Sequence, residues 1–348
     1  MRKPYLFYTL ALVSMVAIAF SGCNKRFNGI DNDDELQTPY SLYFSDSAGT
    51  LYNTNDGDIT RKLVFPADGY PSRSLVVSGP TQLVWLKNNA HVSLNGGDNW
   101  GPTYFKVNPA AHDQSAMIYA RDQERVYIAS YEGRGVAFNE HNGEPDFWEL
   151  DPNTQWERDD TIANPILVSS FTQLQNGHII AYDVTHNRIF SKADKGAKWV
   201  EKKIDTTFFK PWAGYLSLSH FKNTVVAVDS TDSIGVWYSN DEGANWTQFQ
   251  GIPAQTKIAC AGSPFEEELL VGTYYLGLWR QENGMLVPAN EGLDANTIVR
   301  GVKGKLERYK NDIERRVVYI STNTGLYRSD DIGRNWVKVR DGNYINVY

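Results

Sequence analysis

Four carboxylates, Glu132, Asp183, Asp229 and Asp232, stand in short polar stretches that follow β-type runs. Two such groups across one cleft suffice to cleave a glycosidic bond, at ~5–5.5 Å for retention and ~6.5–9.5 Å for inversion. These four are candidates only, and no residue is assigned a catalytic role from sequence. Around them lie side chains suited to holding a ligand: Lys87, Tyr131, Arg134, His186, Tyr274 and Tyr275, with Trp156 and Trp212 in two long polar links. Sugars stack their apolar faces on such rings while their hydroxyls seek Asp, Asn and Arg. Other chemistries find no footing. His178, His186 and His220 lack metal-ligand spacing, and HExxH and CxxC are absent. Phosphate-cradling glycine loops and a Gly-x-Ser-x-Gly elbow are missing too. Neither a metal nor a cofactor is expected.

The elements that must carry these residues are announced by a recurring turn. Its clearest copies are Ser93, Asn95, Gly97 and Trp100; Ser239, Asp241, Gly243 and Trp246; and Ser329, Asp331, Gly333 and Trp336. A weaker copy keeps Asp194, Gly196 and Trp199 but has Lys192 where the first hydroxyl would stand. Ser and Asp or Asn side chains hydrogen-bond nearby backbone and close tight turns. Gly supplies the positive φ such a turn needs, and Trp buries a large apolar surface. The expected role of these residues is structural.

The turn glycine recurs through degraded copies as Gly57, Gly97, Gly143, Gly196, Gly243, Gly284 and Gly333, spaced 40 to 53 residues apart. A four-stranded propeller blade needs about 40–50 residues. The expected fold is therefore all-β, a seven-bladed β-propeller of four-stranded antiparallel blades, with six blades the rival count. In the second blade the strands are expected at Leu75 to Ser78, Gln82 to Lys87, His91 to Asn95 and Trp100 to Lys106. The first blade lacks an innermost strand, and the chain ends in an orphan β-type run, Asn343 to Tyr348. That run is expected to complete the first blade and close the ring, which removes exposed edges. Residues 151–165 and 205–215 are expected to be blade-to-blade links on the rim.

The repeated turn resembles the Asp-box (BNR) repeat, and the chain resembles the propeller superfamily of sialidases, sortilin-like domains and photosystem II assembly factors. The resemblance implies fold and not activity, since its members diverge in function. Sialidases clamp a carboxylate with three arginines, the first in a Phe/Tyr-Arg-Ile-Pro motif, and use a Tyr nucleophile supported by Glu. That motif is absent here: Tyr327-Arg328 runs on into Ser-Asp, and Tyr70-Pro71-Ser72-Arg73 has another order. Bidentate Arg recognition of a carboxylate is hard to replace, so sialidase activity is not expected.

Residues 1–22 read as a lipoprotein signal peptide: Arg2 and Lys3, an apolar run from Leu6 to Phe20, then Phe20-Ser21-Gly22-Cys23. The placement of Cys23 resembles a bacterial lipobox, which implies acylation and attachment to a lipid bilayer. Residues 23–39 form an acidic tether with Asp31, Asp33, Asp34 and Glu35, and residues 40–348 the propeller. Cys260 then has no partner for an intramolecular disulfide. The net charge of −7 argues against nucleic acid. The expected protein is a monomeric, lipid-anchored resident of the bacterial outer membrane or cell surface. Its propeller is expected to bind a glycan or an envelope protein without turnover, on the face opposite the Asp boxes. The alternatives are a glycoside hydrolase using the inner-loop acids and an assembly factor for another envelope protein.

Overall fold

A computed structural model describes residues 42–54, 60–62, 74–77, 83–86, 90–93, 95–102, 104–105, 114–123, 125–130, 135–140, 155–162, 167–202, 216–229, 235–309 and 313–348. Signal segment, tether and Cys23 lie outside them, as do Lys87, Tyr131, Glu132, Arg134, Trp212 and Asp232. Among the described residues no helix is long and apolar enough to cross a membrane.

The described strands form seven sheets, numbered here in chain order. Sheet 1 holds Leu42–Asp46, Leu51–Thr54 and Thr60–Lys62. Sheet 2 holds Ser74–Val77, Leu83–Leu86, Ala90–Ser93 and Gly101–Pro102. Sheet 3 holds Gln114–Ala120, Arg125–Ser130, Gly135–Glu140 and Gln155–Arg158. Sheet 4 comprises Val168–Gln173, Ile179–Asp183, Arg188–Lys192 and Val200–Lys202, and sheet 5 Leu216–Phe221, Thr224–Asp229, Val236–Ser239 and Thr247–Gln248. Sheet 6 comprises Ile258–Gly262, Leu270–Thr273, Leu278–Glu282 and Met285–Pro288, and sheet 7 Val299–Tyr309, Ile313–Thr322, Gly325–Ser329 and Val337–Asp341. The C-terminal strand, Tyr344–Val347, pairs antiparallel with Leu42–Asp46 and gives sheet 1 its innermost strand.

Six of these sheets are four-stranded antiparallel blades, so the expected seven uniform blades are corrected to six. Sheet 3 is five-stranded, because Tyr104–Phe105 runs parallel beside Gln155–Arg158. The single strand expected from Trp100 to Lys106 is thereby split: Gly101–Pro102 stays in sheet 2, and Tyr104–Phe105 crosses to sheet 3. The physical reason is visible in simpler form elsewhere. Chain leaving sheet 5 bridges Gln250 to Met285, and chain leaving sheet 6 bridges Glu291 to Asn335, both parallel. Gly251 and Gly292 follow at positive φ, where a Cβ would lie 2.0 Å from the Leu286 or Trp336 carbonyl oxygen. In sheet 3 the same contact holds two residue pairs, Gln155 with Tyr104 and Trp156 with Phe105.

Burial follows from strand periodicity. In Val225–Asp229 every residue is buried; Val225 and Ala227 face sheet 4 while Val226 and Val228 face sheet 6. Seven apolar clusters result, one between each consecutive pair of sheets, including sheet 7 with sheet 1 and sheet 1 with sheet 2. The clusters form an unbroken circuit. A Trp just before the fourth strand packs against the preceding sheet in four cases: Trp100 on sheet 1, Trp199 on sheet 3, Trp246 on sheet 4 and Trp336 on sheet 6.

Trp156 behaves the same way, being 1% exposed in the cluster between sheets 2 and 3. It is not a rim residue of a blade-to-blade link, as its polar surroundings suggest; it lies in the fourth strand of sheet 3. In sheet 6 the turn is an Asn283–Gly284 hairpin with both residues at positive φ, the signature of a two-residue primed turn. Leu286 fills the place of the Trp there.

Candidate functional site

Up-and-down strand order sorts the turns onto two faces. Turns joining third to fourth strands share a lower face with those joining first to second. Turns joining second to third strands share the upper face with the sheet-to-sheet links.

The lower face is stapled. In sheet 5, Ser239 Oγ accepts from Gly243 N at 2.8 Å and donates to Asp241 Oδ1 at 2.7 Å. Asn245 N donates to the same oxygen at 2.8 Å, and Trp246 Nε1 donates to Gly243 O at 2.8 Å. Sheet 2 repeats the set through Ser93, Asn95, Gly97, Asn99 and Trp100. Sheet 7 repeats its Ser, Asp, Gly and Asn bonds through Ser329, Asp331, Gly333 and Asn335, while Trp336 Nε1 donates to Ala289 O instead. Burial raises the Asp241 carboxyl, but bonds from Asn245, Ser239 and Ala244 outweigh it and hold it below the usual range. Asp331 is lowered in the same way.

Sheet 4 solves its missing hydroxyl differently. Asp194 Oδ1 accepts from Gly196 N at 2.7 Å and Ala197 N at 2.8 Å. The buried Lys192 ammonium donates to Ala197 O and lies 3.4 Å from Asp159 Oδ2, which also accepts from Trp199 Nε1 at 2.8 Å. All the turn residues expected to be structural make turn or core contacts of this kind.

Sheet 7 holds a Tyr–Glu–Arg group on the lower side. Glu307 accepts from Tyr309 OH at 2.6 Å, Tyr319 OH at 2.8 Å and Arg328 Nη1 at 3.1 Å. These residue types match those of a tyrosine-nucleophile glycosidase, but their environment does not. Glu307 and Tyr319 are 0% exposed. Burial, then the bond from its hydroxyl to Glu307, pushes the Tyr309 hydroxyl up to about 12, and Tyr319 is raised well above its ordinary value by burial and the Glu307 charge. A nucleophile needs the opposite shift.

The upper face carries a second set of staples, at the ends of second strands. Asp46 Oδ1 accepts from Ala48 N at 2.9 Å and Thr50 N at 2.8 Å. Thr322 Oγ1 accepts from Thr324 N at 3.1 Å and Gly325 N at 2.9 Å. Asp183 belongs to this set and is 0% exposed. Its Oδ1 accepts from Leu167 N at 2.9 Å and Thr185 N at 3.1 Å, while its Oδ2 meets Arg188 Nη2 at 2.8 Å, Arg188 Nε at 3.1 Å and His186 Nδ1 at 2.9 Å.

Asp229 is also 0% exposed. Burial first, then the charges of Asp229 and Asp183, pushes the Tyr182 hydroxyl up to about 12. Both acids are fully buried, and both oxygens of Asp183 are engaged by Leu167, Thr185, Arg188 and His186, which argues against its candidacy as a catalytic or ligand-contact group. Sequence reasoning missed this set, although the signal was present as Asp or Thr closing five of the seven second strands, at Asp46, Asp183, Asp229, Thr273 and Thr322.

Of the described ligand candidates, His186, Tyr274 and Tyr275 lie on the upper face and reach its surface. His186 is exposed beside Asp183, whereas Tyr274 and Tyr275 occupy the turn of sheet 6. That turn is held rigidly. Thr273 N donates to Gly277 O at 2.9 Å, Leu276 N to Thr273 Oγ1 at 2.9 Å, and Tyr274 N to Lys257 O at 3.1 Å. Asn290 accepts from Leu278 N at 2.7 Å and donates to Leu276 O at 3.1 Å. Only glycine fits at Gly277, φ 68°, because a Cβ would lie 2.2 Å from Asn290 Oδ1. The two tyrosine rings are 6.2 Å apart, and Lys257 Nζ stands 4.6 Å from the Tyr274 ring. Tyr275 is 73% exposed and Leu276 41%. Lys257 and Leu276 were not among the sequence candidates.

No protein-family model and no curated protein sequence matches this chain. Solved structures do match. A streptogramin B lyase superposes with a TM-score of 0.54 at 11% identity, over 82% of this chain and 93% of that one. YCF48 bound to D1 peptide gives 0.54 at 14% identity, over 77% and 81%. The extracellular domain of a one-component system from B. thetaiotaomicron gives 0.53 at 12% identity, over 89% of this chain and 46% of that one. These likenesses give the fold, an all-β propeller. They include enzymes and non-enzymes alike, and no activity passes from them.

Proposed function

We propose that this chain is an envelope lipoprotein whose propeller binds a partner on its upper face without turnover. We count the five-stranded sheet as a seventh blade and take the Gly-to-Trp turns as Asp boxes. The reading rests on one observation: a turn fixed by a dense hydrogen-bond set presents Tyr275 and Leu276 to water beside half-buried Tyr274, while Asp183 on the same face is consumed as a staple. Preorganised aromatics on a rigid scaffold suit binding, because little conformational entropy is lost on contact. YCF48 is a neighbour of the same fold bound to a peptide, which favours a protein partner over a glycan. Attachment would run through acylated Cys23.

Two assays test this reading. Peptide and glycan panels presented to the full chain should show retention without product, lost in Tyr275→Ala at an unchanged unfolding midpoint. Release of a shortened glycan would overturn it. Radiolabelled palmitate should enter the wild-type protein and not Cys23→Ser; label in both would remove the anchor.

A further inference from the structure

Six large apolar side chains are exposed among the described residues: Val200, Tyr275, Leu276, Met285, Leu306 and Val337. Single exposed apolar residues are ordinary and carry no argument. Tyr275 and Leu276 alone are adjacent, and they share a turn with Tyr274. Burying apolar side chains of this size is favourable, and a turn this tightly bonded could not relax to hide them.

Beside them, Lys257, like Lys222 on Phe221, meets an aromatic ring where several other cations meet acids. Lys202 pairs with Glu242 at 2.9 Å, Lys338 with Asp294, and Arg188 with Asp183 at 2.8 Å. The Lys257 ammonium rests on the Tyr274 ring, and no carboxylate among the described residues pairs with it. A cation against an aromatic face, next to exposed Tyr and Leu, is complementary to a carboxylate standing beside an apolar side chain. Leu276 offers a sugar neither a flat ring nor a hydrogen bond, but it can meet an apolar peptide side chain.

We infer that Tyr274, Tyr275, Leu276 and Lys257 form the docking point for a partner-protein segment in which an acidic residue adjoins an apolar one. The inference rests on the upper-face binding proposed above and names its ligand class. The carboxylate pairs with Lys257, and the apolar side chain lies across Tyr275 and Leu276. All four residues are on the surface and outside the inter-sheet clusters, so substituting them leaves the ring intact.

The test uses the immobilised full chain and an array of ten-residue peptides carrying Glu-Leu or Asp-Phe pairs, with Gln, Asn and Lys versions alongside. Acid–apolar peptides should be retained, and Tyr275→Ala should weaken them about tenfold, the loss of one interfacial contact. Lys257→Glu should reverse the preference towards Lys–apolar peptides. Retention indifferent to peptide charge, or unchanged in Tyr275→Ala, would overturn the inference. So would failure to retain any acid–apolar peptide. A glycan array bound by wild type and lost in Tyr275→Ala would overturn the peptide assignment while leaving upper-face binding in place. Self-association lost in Tyr275→Ala would make a second copy the occupant and overturn it as well.

Discussion

The lower face of sheet 5 and the upper face of sheet 6 use the same device for different ends. Each fixes a short turn through a hydroxyl at a strand end, Ser239 in one and Thr273 in the other. In the first, the residue so positioned is Trp246, 5% exposed and driven into sheet 4. In the second, the residues so positioned are Tyr275 and Leu276, held in water. A hydrogen-bonded turn is thus neutral as to role, and the destination of its apolar cargo decides whether it stabilises the ring or presents a surface.

The largest expected effect that would sharpen this contrast is Trp336→Ala. It removes a fully packed side chain between sheets 6 and 7 and should cost about 3–5 kcal/mol in a denaturant titration. A loss below about 1 kcal/mol would mean that the fourth-strand aromatics do not clamp neighbouring sheets.

Asp183→Asn comes next. It keeps shape but sets an amide against a site built from Leu167 N, Thr185 N and Arg188, and should cost about 1–3 kcal/mol. Unchanged stability combined with lost turnover of a glycan would instead return Asp183 to a catalytic role.

Acid should act on the lower face. The Asp241 and Asp331 carboxyls are held low, and Glu242 is too, where burial is outweighed by bonds from Lys202, His178 and Ser191. A lowered folded value means stability present above the unfolded value and lost as pH falls through the folded one. The unfolding midpoint should stay flat from pH 7 to about 5 and decline below about 4. Asp241→Asn should shrink that decline. The smallest effect is on the upper face, where Tyr275→Ala should change stability by less than about 0.5 kcal/mol.

The fold was legible where sequence spacing and physics coincide. Gly243 to Trp246 and Gly333 to Trp336 mark hairpins because turn and core residue sit three apart, and the incomplete first blade called for the strand at Tyr344–Val347. The packing role of Trp156 carried no local signature, because thirteen positions separate it from Gly143, and its polar link suggests a ligand-facing ring instead. Likewise, Tyr104–Phe105 reads as a continuation of sheet 2, and only tertiary pairing shows it joining sheet 3. The bonding of Asp183 is illegible for a different reason. An acid that caps a turn and an acid that does chemistry have the same sequence environment, and only burial and bonding partners separate them. Turn position and strand order suffice to assign Tyr275 to the upper face, but Lys257 approaches the Tyr274 ring from the link before Ile258–Gly262.

Hydrogen–deuterium exchange on the full chain, with and without a Glu-Leu peptide, tests the division of labour between the faces most directly. The account predicts added protection at residues 273–278 and none at 239–246 or 329–336. Protection appearing at the Gly-to-Trp turns instead would contradict it.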